Sequence, residues 1–164
     1  MHLSEMMLLP TDPRSAACLL ADPEHVREAI RAAGATDDAV EVAGDGSGAF
    51  TVTSRRTLPA DQVPAHLRGF VGGHLKVLQT TTWDAPDDDG ARAGTVVAEV
   101  AGVPVRLDGR TTLVAHGPAA TAVRYEGEVR ASVPLFGAVV EELTAAAVRG
   151  ALAAEAQVAA RRLT

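Results

Sequence analysis

The sequence is short of cysteine, of lysine and of long apolar runs. Cys18 is the one cysteine, so no internal disulfide can form and the fold must rest on its core. A chain of 164 residues can supply one. At that size about 68–70% of the unfolded surface can be buried, within a single domain spanning the whole chain. Charge interrupts every apolar stretch well before the roughly 20 residues of a membrane span. The opening MHLSEMMLLPTDP has an acidic residue, no basic start and too short an apolar run for a secretory signal, which makes the cytosol the expected location. Positive charge is also scarce. The net charge of −6 speaks against nucleic acid and anionic membrane as partners. Lys76 is the only lysine, and with alanine and glycine abundant the composition reads as a GC-rich coding bias.

Residues 3 to 9 form a short apolar run closed by the TDP turn at 11 to 13, and two short helices are expected next, at 14 to 20 and 22 to 33. Asp22 suits the cap of the second, Pro23 its first position, Glu24 the positive end of its dipole and Gly34 its exit. From Ala39 the period of the pattern changes from that of a helix to that of a strand. Strands are expected at 38 to 43, 48 to 58, 74 to 84, 93 to 101, 104 to 116 and 121 to 133, joined by AGDGSG, DAPDDDG, AGVP and HGPA. One face of each is the heavier: Phe50, Val52 and Leu58; Leu75, Val77 and Trp83; Val105, Leu107 and Leu113; Tyr125, Val129 and Val133. Val63 to Gly69 reads as a short helix or irregular lid.

Pro134 introduces a helical pattern that runs over 135 to 163, roughly 29 residues and about 43 Å. Its projection gathers Phe136, Val139, Val140, Leu143, Ala147, Gly150, Ala154 and Val158 on one side, with Glu141, Glu142, Arg149, Glu155 and Arg162 opposite. Strands with one apolar face and one long amphipathic helix predict an α+β domain in which a curved antiparallel sheet of six to seven strands wraps the C-terminal helix.

The stretches RRTLPADQVPAHLRGFVGG at 55 to 73, LQTTTW at 78 to 83, VAGVPVRLDG at 100 to 109 and EVRASVPLFGAVVEEL at 128 to 143 resemble an actinobacterial family, domain-of-unknown-function family 2505. The order of elements is similar to the START-like, helix-grip, polyketide cyclase-like superfamily. The first strand departs from that pattern, with Met6 and Met7 in place of an aromatic-containing segment. The resemblance implies a deep cavity between helix and sheet, which relatives use for lipids, hormones and polyketides. It carries over no catalytic residue.

The helix gives an independent reason to expect a cavity. Ala147, Gly150 and Ala154 put almost no volume on the inner stripe, so either space is left there or the sheet closes in. The expected wall takes Phe50, Arg56, Phe70, Gln79, Trp83 and Glu99 from the first half of the sheet and its lid. Leu107 and Tyr125 come from the second half, and Leu143, Ala147, Gly150 and Ala154 from the helix. Trp83 either floors the cavity or is core. Arg56, Gln79 and Glu99 share inward parity, so an Arg56–Glu99 pair would anchor a polar head, unless a slip in parity exposes them.

Other motifs are weaker. The acidic loop Asp84, Asp87, Asp88, Asp89, Gly90 lacks carboxylates at the end positions of a calcium loop and reads as a hairpin turn. AGDGSG precedes a strand, so its amides have no helix dipole with which to hold phosphate. His2, His25, His66, His74 and His116 do not recur at metal-ligand spacing, and neither metal nor cofactor is expected. Cys18, beside Leu19 and Leu20, reads as a small buried hydrophobe. His66 and His74 flank the lid and are the first place to seek acid–base chemistry. Val148 and Leu152 fall among the charges of the last helix, where they would meet the N-terminal helices or a second copy of the chain.

Three functions follow as expectations: non-enzymatic binding of an apolar small molecule such as a lipid or polyketide; an enzyme of cyclase-like or hydrolytic type in the same cavity; or an interaction module using Val148 and Leu152. Fold alone does not decide among them.

Overall fold

A computed structural model describes residues 1–164 except Gln62 and the side chain of Phe70. The expected lining residue Phe70 therefore lies outside the described side chains. Strand β1 (His2–Leu9) leads into helices α1 (Pro13–Leu20) and α2 (Pro23–Ala32). Asp12 caps α1 by accepting from Ser15 N at 3.1 Å, and Asp22 caps α2 by accepting from Glu24 N at 2.9 Å. In each helix a proline takes the first position, where its missing N–H is not needed.

Strands β2 (Asp37–Gly44) and β3 (Phe50–Pro59) form a hairpin around AGDGSG. A single helical turn at Ala65–Leu67 and the short α3 (Arg68–Val71) lead to β4 (His74–Trp83). The meander continues through β5 (Arg92–Val100), β6 (Val103–Ala115) and β7 (Thr121–Ala131). Helix α4 (Gly137–Arg162) ends the fold. The seven strands form one antiparallel sheet in the order β1-β7-β6-β5-β4-β3-β2. β1 and β2 are thus its two edges, and α1 and α2 carry the chain from one edge to the other.

The sheet curls around α4, and glycine makes part of that curl. Gly109 and Gly127 face each other on β6 and β7, so closely that a Cβ on Gly109 would sit 2.7 Å from the carbonyl oxygen of Glu126. A side chain there would have to push strands apart.

The packed core fills one end of the curl. Met7, Leu9, Phe50, Trp83, Leu113 and Val123 from the sheet meet Ala16, Ala17 and Leu20 of α1 and Ala159 of α4. Phe50 and Trp83 stack with ring centroids 6.4 Å apart. Arg92, 5% exposed, closes this end: it donates from Nη1 to Gly48 O and from Nη2 to Gly46 O, both at 2.9 Å, and covers the Phe50 ring. A smaller cluster of Leu3, Val129 and Ala145 lies under the middle of α4.

Three expectations are corrected. The last helix has 26 residues, about 39 Å, and begins at Gly137, two residues late. Leu135 sits before it, 98% exposed with φ of 69°, a left-handed conformation that the side chain of leucine disfavours. Cys18 is exposed, its backbone packed against Gly46. Val139, assigned to the inner stripe, is exposed at 43%.

Candidate ligand-binding site

Away from the packed end, α4 and the sheet enclose a cavity of about 720 Å³. Its floor comes from the concave faces of β3 to β7 and its roof from α4, with α2 and the segment before β4 at the sides. Space is left on both walls at one level. Gly109 and Gly127 lie in the floor, and Ala147 and Gly150 in the roof remain accessible to solvent. No atom comes within 4 Å of where a Cβ on Gly150 would stand.

Most of the wall is aliphatic, with one polar array. Ser54, Arg56, Gln79 and Thr81 share the inward parity of adjacent strands, Ser54 opposite Gln79. Arg56 donates from Nη1 to Ser54 Oγ at 3.3 Å and from Nη2 to Gln79 Oε1 at 3.0 Å. Gln79 passes the chain on, donating to Thr81 Oγ1 at 3.3 Å. Burial pulls the Arg56 guanidinium below the usual arginine range, and the charge of Glu155 opposes that shift. Tyr125 also lines the cavity, and burial, reinforced by Glu155, pushes its phenol above the usual range.

Glu155 projects from α4 into the cavity wall, where Oε1 lies 3.4 Å from Nε2 of the fully buried His25 of α2. Arg162 of α4 meets Glu28 of α2 at 2.8 Å and the cap residue Asp22 at 3.7 Å, and Arg149 meets Glu5 of β1 at 2.7 Å.

Of the residues assigned to the wall from sequence, Arg56, Gln79, Trp83, Leu107, Tyr125, Leu143, Ala147, Gly150 and Ala154 stand in it. Two do not. Phe50 is spent in the core against Trp83. Glu99 is exposed on the convex face, paired with Arg106, so the Arg56–Glu99 pair does not form. His66 and His74 are both exposed and outside the wall, the first with its ring against Phe136 at 5.4 Å between centroids.

Val148 and Leu152 turn into the cavity instead of outward, which removes the surface on which docking was expected. Glu155, placed on the outer face by projection, was missed, and so was His25. The signal for His25 was present: it shares the buried face of α2 with Ala29, four residues on. Ser54 was also missed, although its parity matches that of Arg56.

An open antiparallel sheet gripping one long C-terminal helix is the START-like helix-grip architecture. Solved structures with this fold include a protein of Thermus thermophilus, with TM-score 0.67, 17% identity and full coverage of both chains. The Zhui aromatase/cyclase of a Streptomyces species matches at TM-score 0.58 and 14% identity, over 100% of this chain and 96% of that one. A START superfamily protein of Mycobacterium smegmatis matches at 0.56 and 15%, over 99% of each. The chain belongs to the family described as protein of unknown function (DUF2505), whose model matches residues 8–163. No curated protein matches it. Among the described residues, no helix is long and apolar enough to cross a membrane.

Proposed function

We propose that the chain binds an apolar small molecule, such as a lipid or polyketide, in the space between its sheet and α4, as a carrier or sensor without chemistry of its own. The observation that carries this is the cavity's size against its lining. A solvent-accessible space of about 720 Å³ lined mainly by aliphatic side chains falls within the size range of small-molecule pockets. Water gains little from aliphatic walls, whereas a guest of matching character gains from every contact. The START-like fold supports the same reading by analogy.

Native mass spectrometry of the purified protein, followed by solvent extraction, tests it. The expected result is a co-purifying metabolite, or saturable uptake of the neutral dye Nile red with a change in Trp83 fluorescence. A chain at its bare mass that takes up no dye overturns it.

A second reading, an enzyme in the same cavity, draws on the convergence of Arg56, Tyr125 and Glu155 on one space. Its residues would be these, in place of His66 and His74. Glu155→Gln should then abolish turnover while leaving uptake intact. The exposed thiol of Cys18 fits a reducing cytosol. The arginine-, alanine- and glycine-rich composition fits an actinobacterial source.

A further inference from the structure

Arg56 is the one cationic side chain in the cavity wall among the described residues. Its setting is unusual in what it lacks. Ser54 and Gln79 engage two of the five N–H donors of the guanidinium, both through neutral oxygens, and no described carboxylate comes within ion-pair distance. The acidic residues of the wall are otherwise occupied. Glu126 accepts from Ser4 Oγ on the outer side, Asp61 is exposed beside the lid segment, and Glu155 stands against His25. Glu155 acts on Arg56 through the field alone. Asp38, directly across the strand pair from Arg56, is taken by Arg31 at 2.8 Å. Arg56 is half-buried, so a guest that fills the cavity strips the rest of its water, and a guest that brings the counter-ion offsets that penalty on binding.

We propose that Arg56, held in place by Ser54 and Gln79, is the head-group site of the cavity, and that the guest is an amphiphile with one carboxylate at its end. A carboxylate matches the guanidinium fork with two parallel hydrogen bonds, and the aliphatic walls toward Gly150 receive the tail. A phosphate monoester suits the site less well. It would set nearly two negative charges against one guanidinium with Glu155 nearby. This inference rests on the ligand-binding reading above and adds the chemistry of the guest to it.

The test compares dodecanoic acid, dodecanol and Nile red on the intact protein at neutral pH, read through the fluorescence of Trp83, the only tryptophan. In the native protein the acid should bind at least about tenfold more tightly than the alcohol, the scale of a hydrogen bond to a charged group. Arg56→Met should abolish that preference, and Arg56→Lys should retain part of it. Should Arg56→Met fail to fold, the ratio of acid to alcohol in the native protein still decides. Equal binding of acid and alcohol, with Nile red bound, overturns the carboxylate site and leaves the cavity reading standing. No binding of any of the three overturns both.

Discussion

The imidazole of His25 stands 3.4 Å from the carboxylate of Glu155, joining α2 to α4 with no surface of the ring exposed. The alignment is not that of a hydrogen bond, and both ring nitrogens are without a hydrogen-bond partner among the described residues. A buried polar group in that state costs roughly 1–3 kcal/mol. His25→Leu combined with Glu155→Leu, which keeps most of the bulk and removes both ends of the contact, should therefore raise stability by about 1 kcal/mol. The denaturant midpoint measures it, and a fall would show that the ring is held by a partner such as bound water.

Gly150 offers a second substitution with opposed effects. Leucine there meets open space, gains roughly 0.5–1 kcal/mol of helix propensity and takes volume from the cavity. Gly150→Leu should be at least as stable as the native protein and bind Nile red about tenfold more weakly, on the scale of a lost large-side-chain contact. Unchanged dye affinity would place the guest elsewhere.

Tyr125 is the only tyrosine, so its ionisation can be followed by phenolate absorbance. Burial, then the charge of Glu155, raises its folded pKa above the unfolded value of about 10. Above that pH the folded state binds more protons than the unfolded state. The contribution is complete below about pH 10 and is lost as pH rises further. The stability of the native protein should fall more steeply above about pH 10 than that of Tyr125→Phe. Parallel curves would show that the hydroxyl reaches water.

Most of the fold was legible because its signals are local. Alternation marked the strands, Gly, Asp and Pro marked the hairpins, and Asp22-Pro23 marked the start of α2. Errors arose where a position answers to more than one neighbour. Glu99 was assigned inward because Val96 and Val97 are both apolar, so either parity of β5 fits the pattern. The structure buries Val96 and turns Glu99 out.

On α4 the projection assumed one partner, but the helix has two, the sheet and α2. Of its fully buried residues Val158 lies on the stripe chosen from sequence, whereas Ala145 and Ala159 lie off it, and Glu155, Val148 and Leu152 turn inward. Leu135 is the clearest case at a boundary. Pro134 marks the entrance to the helix correctly, but the left-handed residue after it leaves no trace in propensity.

The edges β1 and β2 never meet, and what closes the wall between them is α2 against α4. Every polar contact described between those two helices is made by side chains: Arg162 and Arg161 to Glu28, Arg162 to Asp22, and His25 to Glu155. The vessel thus has one seam that carries no ladder hydrogen bonds. Parting it would leave all seven strands in register. Since exposed ion pairs are screened by salt, ionic strength loosens the seam while the sheet keeps its ladder hydrogen bonds, and guest exchange should quicken as salt rises while the melting of the fold barely moves.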